Sequence, residues 1–244
     1  MQLVIDAGNT LTKAAIFNGD EVVVFEQSAR IAAESVLTWC SEYSISRAII
    51  SDVAGSGDDI SRELSTGISV LNMNAQTPTP LQMDYETPQT LGPDRLAAAV
   101  LGHSLFPQNH VLVIQTGTCI TFEFITPDGS YKGGAISPGL DLRLKAMNTF
   151  TAKLPLVKKK EIHFLTGKNT EESILSGVMN GCIAEIDGII DQYKHRYPDL
   201  MVVLGGGDAI YFDKKLKNRI FATENLVLRG LNEVLKFNHA HFEK

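Results

Sequence analysis

Hydrophobic positions in this chain fall mostly into short runs that end on glycine or a polar residue; fewer recur at helical spacing. The first run, Leu3-Val4-Ile5, ends on Asp6 and a turn at Gly8-Asn9-Thr10, and the chain then re-extends through Phe17. Gly and Asn both tolerate φ > 0, so Gly8-Asn9 is predicted to close a tight hairpin. A second run, Leu112-Val113-Ile114, meets Gln115-Thr116-Gly117-Thr118 and re-extends over 120–125. At a constant offset of 109 residues the two stretches match at Leu3/Leu112, Val4/Val113, Ile5/Ile114, Gly8/Gly117 and Thr12/Thr121. An offset that long describes two domains rather than a solenoid, so the chain reads as a duplication with one Gly turn per half. The plain alternative is chance similarity between β-rich segments.

The remaining elements follow the same pattern. Strands are predicted over 21–26, 48–50 and 69–71, and helices over 31–43 and 59–64, with a break at Gly55-Ser56-Gly57-Asp58. Residues 77–93, with Pro78, Pro80 and Pro88, read as a long loop, a length that is usually functional or disordered. It ends in Gly92-Pro93-Asp94-Arg95, where Pro at the first helical position and the apolar run 96–101 predict a helix start. A turn at 127–129 leads into Tyr131. Gly133-Gly134-Ala135-Ile136-Ser137-Pro138-Gly139-Leu140 predicts close backbone packing before a helix at 140–147. Asn169-Thr170-Glu171-Glu172 reads as a helix N-cap. That helix runs to Tyr197, before Pro198, with Ile174, Val178, Gly181, Ile186 and Ile190 as a core or dimer stripe. A strand at 201–204 feeds Gly205-Gly206-Gly207, bare backbone against which a flat ligand could lie. A final helix over 225–237 is expected to pack back on the first domain.

Composition narrows the class. The 244 residues are 44% hydrophobic and 20% charged, enough for one large or two modest domains. A net charge of −6 argues against a nucleic-acid binder, and Lys158-Lys159-Lys160, the only basic run, reads as a solvated loop. Cys40, Cys119 and Cys182 have no metal-site spacing, which suits a reduced cytoplasmic protein. Asp6 interrupts the first apolar run, so no signal peptide is expected, and no run reaches the length of a membrane span.

Two stretches carry candidate chemistry. A Gly turn can present successive N–H groups as a phosphate-binding nest, with Asp6 beside it for a divalent cation and Lys13 as a point charge. Asp94 and Arg95 fall in a first helical turn at the end of a Pro-rich loop, a plausible substrate site. The bland readings are an ordinary hairpin, a carboxylate complementing a helix dipole and a solvent-facing arginine.

Taken in order, Asp6-x-Gly8-Asn9-Thr10, Gly92-x-Asp94-Arg95, Thr116-Gly117-Thr118, Gly133-Gly134-x-Ile136-x-Pro138-Gly139-Leu140 and Gly205-Gly206 resemble the type III pantothenate kinases of the actin/sugar kinase/heat-shock ATPase superfamily. The resemblance covers nearly the whole chain. It implies an α/β fold of two duplicated ribonuclease-H-like (actin-like ATPase) domains with mixed sheets, residues 1–110 and 111–224, and a nucleotide cleft between them. It implies ATP contacts from Asp6, Ala7, Gly8, Asn9, Thr10, Leu11, Thr12 and Lys13, and from Gly117, Thr118, Gly205 and Gly206, with Mg²⁺ held by Asp6. Asp94 is the implied general base, and Tyr85, Gly92, Pro93, Asp94, Arg95 and Thr170 the implied pantothenate contacts, Thr170 reaching in from the other subunit of a homodimer.

The implied activity is ATP-dependent phosphorylation of pantothenate, the first step of coenzyme A biosynthesis. The alternatives are a catalytically weak regulatory or accessory protein on the same scaffold, and a sugar or acetate kinase of the superfamily. One position departs from the family pattern. Gln115 stands where the family commonly has an Asp that helps bind K⁺ or NH₄⁺, and a neutral amide offers only one carbonyl oxygen.

Overall fold

In a computed structural model that describes residues 1–53, 55 and 58–242, β1 (Gln2–Ala7) pairs antiparallel with β2 (Thr12–Asn18) and parallel with β4 (Arg47–Asp52). With β3 (Glu21–Ser28) and β5 (Ser69–Asn72) these strands form a five-stranded mixed sheet in the order β3-β2-β1-β4-β5. Helices α1 (Ala33–Glu42) and α2 (Asp58–Leu64) supply the two crossovers. Leu3, Ile5, Ala14, Ile16, Ala48 and Ile50 on the strands pack with Val36, Ile60 and Leu64 of these helices. The expected break at Ser56-Gly57 lies outside the described residues.

Two features of the first hairpin differ from expectation. Neither Gly8 nor Asn9 is left-handed. The turn is a wider one, closed by Gly8 N–H donating to the Leu11 carbonyl at 3.2 Å, so four residues separate the strands and no positive φ is needed.

The Pro-rich loop holds a two-residue strand, β6 (Gln82–Met83), and a 3₁₀ turn at Pro88–Thr90. Helix α3 (Pro93–Leu105) begins on Pro, as predicted.

The chain divides into two compact units, one of residues 1–107, 125–133 and 225–244, the other of 108–124 and 134–224. The second sheet contains β7 (Val111–Thr116), β8 (Cys119–Ile125), β9 (Ser130–Pro138), β10 (Met201–Gly205) and β11 (Phe221–Ala222). Its order, β9-β8-β7-β10-β11, repeats that of the first sheet strand for strand, with β6 added beside the start of β9. This shared order is the structural form of the 109-residue repeat.

Helices α4 (Leu140–Thr149), α5 (Thr170–Leu175), α6 (Gly181–Arg196) and α7 (Ala209–Asp213) belong to the second unit. A π-helical turn, Ser176–Asn180, joins α5 to α6. By length and composition this 27-residue helix could cross a membrane, where the sequence suggested no such run, but half of its apolar window is buried. Ile174, Val178, Ile186 and Ile190 lie in the core with Leu112, Ile114 and Leu204 of the sheet. The stripe therefore serves the unit's own core. Finally α8 (Leu226–Phe242), longer than expected, packs on α3, β1, β2 and β4. Its Gly230 lies so close to α3 that a Cβ there would stand 1.9 Å from the Ala97 carbonyl oxygen.

Candidate functional site

In the first unit the strand registers decide what surrounds Asp6. It lies opposite Lys13 on β2, just before the buried run 14–17, and Ser51 on β4, just after the buried run 48–50. Asp6 Oδ1 and Ser51 Oγ are both shut off from solvent without a hydrogen-bond partner. Burial, then the negative charge of Asp94, pushes the Asp6 carboxyl up to about 7; Lys13 and the nearby Ser51 hydroxyl pull the other way. Ser51 thus acts at short range without completing a hydrogen bond. An unpartnered carboxylate oxygen whose ionisation is opposed by burial and by a second carboxylate is a site where a cation is favoured. Asp6 fits a divalent-metal ligand. Among the described residues no three His, Cys, Asp or Glu side chains cluster as a cage, so such an ion would complete its shell with water or phosphate oxygens.

Asp94 sits half-buried in the first turn of α3, where the helix dipole favours a carboxylate. Its Oδ1 turns back over Gly92, 2.5 Å from where a Cβ on that residue would stand. Arg95, the next residue, is buried rather than solvent-facing, and its Nη2 donates to Tyr131 Oη at 3.3 Å. Tyr85, in the Pro-rich loop, lies with its ring centroid 5.9 Å from that of Tyr131. The predicted residues Tyr85 and Arg95 therefore share one neighbour, which the sequence reading passed over.

In the second unit Gln115 takes the place of Asp6 at the end of the equivalent strand, opposite Gly205 on β10. Its Oε1 is also buried and unpartnered. The offset that pairs Gln115 with Asp6 pairs Phe122 with Lys13, so the aligned position carries no basic residue. One buried amide oxygen can serve as a single neutral cation ligand, a weaker fit than a carboxylate. Thr116 Oγ1 donates to the Gly205 carbonyl at 3.0 Å. Gly206 (φ +101°) and Gly139 approach the same turn closely: Cβ atoms there would stand 2.1 Å from Thr116 O and 2.0 Å from Gly117 O. The cradle is backbone against backbone, as the glycine pattern predicts.

The N–H groups of Gly8 and Gly117 are both spent within their own turns, Gly117 donating to the Cys119 carbonyl at 3.0 Å. Neither of these two amides is therefore available to an anion. The lysine run is an exposed loop, as expected, and two of its lysines carry ion pairs. Lys159 bridges Asp141 and Asp208, each at 2.7 Å, and Lys160 pairs with Glu171 at 2.8 Å. Asp141 follows Gly139 and Asp208 follows Gly205-Gly206-Gly207, so Lys159 ties together two glycine segments of the cradle. Thr170 is exposed at the start of α5, behind the Asn169 cap that accepts from Glu172 N–H at 2.9 Å.

Ser51, Tyr131 and Lys159 are the residues sequence reasoning missed. Only Ser51 left a usable signal, as a polar residue ending a short apolar strand.

Comparison with known proteins gives a consistent picture. The type III pantothenate kinase family model matches residues 2–192. A type III pantothenate kinase of Bacteroides fragilis is 44% identical over 240 residues, covering 98% of this chain and 99% of its own length. One of Cytophaga hutchinsonii is 42% identical over 238 residues, covering 98% and 100%. Among solved structures, a protein described as a Baf family transcriptional activator from Campylobacter jejuni aligns over 98% of this chain and 99% of its own, with TM-score 0.62 at 17% identity. A ROK family glucokinase from Streptomyces griseus, solved with glucose and AMPPNP, aligns over 94% and 97% with TM-score 0.51 at 10% identity. At those identities the structures support the actin-like kinase fold alone.

Proposed function

The chain belongs to the type III pantothenate kinases, enzymes that phosphorylate pantothenate with ATP, and we propose that its chemistry runs on Asp6, Asp94 and Arg95. The observation carrying this reading is the coupling of two carboxylates, one buried and orphaned at a strand end, the other at a helix N-terminus.

Phosphoryl transfer asks for positioning and charge neutralisation more than covalent help. Asp94 accepts the proton of the attacking primary hydroxyl as transfer proceeds. Arg95 pairs with the pantothenate carboxylate through parallel hydrogen bonds, and Tyr85 packs against the acceptor. Gly92 and Pro93 shape the turn that presents both. Within Ala7 to Lys13 and Gly117-Thr118, the turn amides other than those of Gly8 and Gly117 bind phosphate, and Gly205-Gly206 lies near the adenosine. Asp6 would hold Mg²⁺, which when bound supplies the positive charge that neutralises the phosphates.

We further propose a cytoplasmic homodimer that does not engage nucleic acid, with Thr170 contributed to the partner's pantothenate site. Because the α5–α6 stripe is buried within its own unit, exposed Phe150, Leu156 and Leu165 are the better candidates for the contact. Domain limits of 1–110 and 111–224 remain the proposed division, with 225–244 returning to the first domain.

The direct test measures ADP release from ATP with pantothenate as sole acceptor, in wild type, Asp6→Ala and Asp94→Asn. Release in the wild type that collapses in both variants supports the reading. A variant that keeps near-wild-type turnover overturns its role, and a monomer at micromolar concentration by light scattering overturns the dimer.

A further inference from the structure

Tyr131 has the bulkiest fully buried side chain in the chain, at 0% exposure, yet it carries a hydroxyl. A phenol enclosed to that extent needs a partner. Arg95 Nη2 supplies one at 3.3 Å, inside the protein. The ring of the same tyrosine lies against Tyr85, tilted by 53° at 5.9 Å between centroids.

The backbone reinforces the arrangement. Met83 stands in register with Tyr131 where β6 meets β9, and Asp84 N–H donates to the Tyr131 carbonyl at 3.1 Å. Asp84 also pairs with Lys132 at 2.6 Å. The loop that carries Tyr85 is thus tied to the strand that carries Tyr131. Two residues on, Gly133 adopts φ +88°, and a Cβ there would come within 3.0 Å of the Tyr85 ring. The chain leaves that side bare, which gives the Tyr85 ring room beside it.

We propose that Tyr131 is a positioning residue for the acceptor: its hydroxyl fixes the plane of the Arg95 guanidinium, and its ring backs Tyr85. A guanidinium carries five donors in a rigid fork, and spending one on a fixed neutral oxygen aims the others. A carboxylate recognised through two parallel bonds is sensitive to that aim. Tyr131 never touches the reacting atoms. Its removal is therefore felt in acceptor binding and not in nucleotide binding.

The proposal rests on Arg95 holding the pantothenate carboxylate. Tyr131→Phe keeps the ring and removes only the hydroxyl, so the fold is expected to survive, with Tm as the check. A hydrogen bond to a charged group corresponds to about a tenfold effect or more. The pantothenate KM of Tyr131→Phe is expected to rise about tenfold or more, with the ATP KM and kcat within about twofold of wild type. Introduced into Arg95→Ala, the same change is expected to add nothing, because its target is gone. Losses that add in the double variant, or a rise shared equally by both substrates, would overturn the proposal by showing a merely structural effect. Arg95→Ala raising the pantothenate KM while Tyr131→Phe does not would also overturn it. If Arg95→Ala itself leaves the pantothenate KM unchanged, the reading of Arg95 fails instead, and with it the premise.

Discussion

After burial, the carboxylate of Asp94 is what most strongly holds the Asp6 carboxyl near 7 instead of its ordinary 3.8. The two side chains come from elements far apart in the chain, a strand end and a helix start, yet the charge of one reaches the carboxyl of the other.

A consequence for stability follows. From about pH 4 to about pH 7 the folded, metal-free protein keeps a proton on Asp6 that the unfolded chain has lost. The folded state then binds more protons, so stability falls as pH rises through this window and levels off above it. At about 1.4 kcal/mol for each pH unit crossed, the loss is on the order of a few kcal/mol. Thermal melts in EDTA are expected to show Asp6→Asn matching wild type near pH 4 and exceeding it at pH 8. Adding Mg²⁺ is expected to stabilise wild type more at pH 8 than at pH 5.5, and Asp6→Asn at neither. Identical pH profiles for the two proteins would contradict this account.

Gly92→Ala separates geometry from folding. The Gly92 backbone, at φ −58° and ψ 132°, is open to any residue, and the nearest obstacle to a Cβ is the Asp94 carboxylate oxygen at 2.5 Å. The methyl group should turn that carboxylate aside. Turnover is expected to fall at least tenfold with Tm within about a degree or two, because only a side chain must move. Unchanged turnover would show that the orientation of Asp94 does not matter.

Asp94→Asn keeps the shape and loses the proton acceptor. Turnover is expected to drop by about 10²–10⁴-fold, the usual worth of a general base, while both substrates still bind in calorimetry. A variant within a few-fold of wild type would exclude Asp94 as the base.

Lys159→Met leaves Asp141 and Asp208 uncompensated beside the glycine cradle. Their negative charge should then oppose an anionic nucleotide. The ATP KM is expected to rise several-fold and to recover partly in high salt, which shortens the screening length between exposed charges from about 10 Å at about 0.1 M to about 3 Å at about 1 M. A salt-independent rise would point to lost packing instead.

Gln115 bears on the monovalent ion. Its neutral amide can fill the position with hydrogen bonds where an Asp would call for a cation. Initial rates at constant ionic strength are expected to be independent of potassium in wild type, with dependence emerging in Gln115→Asp. Steep potassium dependence in the wild type would reverse the prediction.

How far the sequence reached is clearest at the strand ends. The 109-residue repeat, read from five matched positions, corresponds to two sheets with one strand order. The capped helix start at Asn169 and the Pro93 start of α3 also lie where local chemistry puts them. What escaped depends on distant parts of the chain. Tyr131 follows a hairpin turn and shows nothing in its own neighbourhood to suggest Arg95, 36 positions earlier. The two ion pairs of the exposed Lys159 could not be read locally because its partners are 18 and 49 positions away. Two-residue strands such as β6 and β11 owe their existence to the sheet edge they join, and no local pattern announces them. Gly8 shows the opposite failure: its residue type suggested a left-handed turn, and a wider loop removed the need.

The return of α8 to the first unit has a consequence for synthesis on the ribosome. Helix α3, which presents Asp94 and Arg95, buries its Ala97 against Gly230, more than a hundred residues later in the chain. The nascent first sheet can form early, but α3 lacks its helical partner until α8 emerges. The second unit, 108–124 and 134–224, is synthesised entirely before that point. At about 5–20 residues per second, the apolar face of α3 stays uncovered for several seconds or more. The N-terminal unit is thus begun first and finished last, and a chain stalled before α8 would display α3 as a target for chaperones.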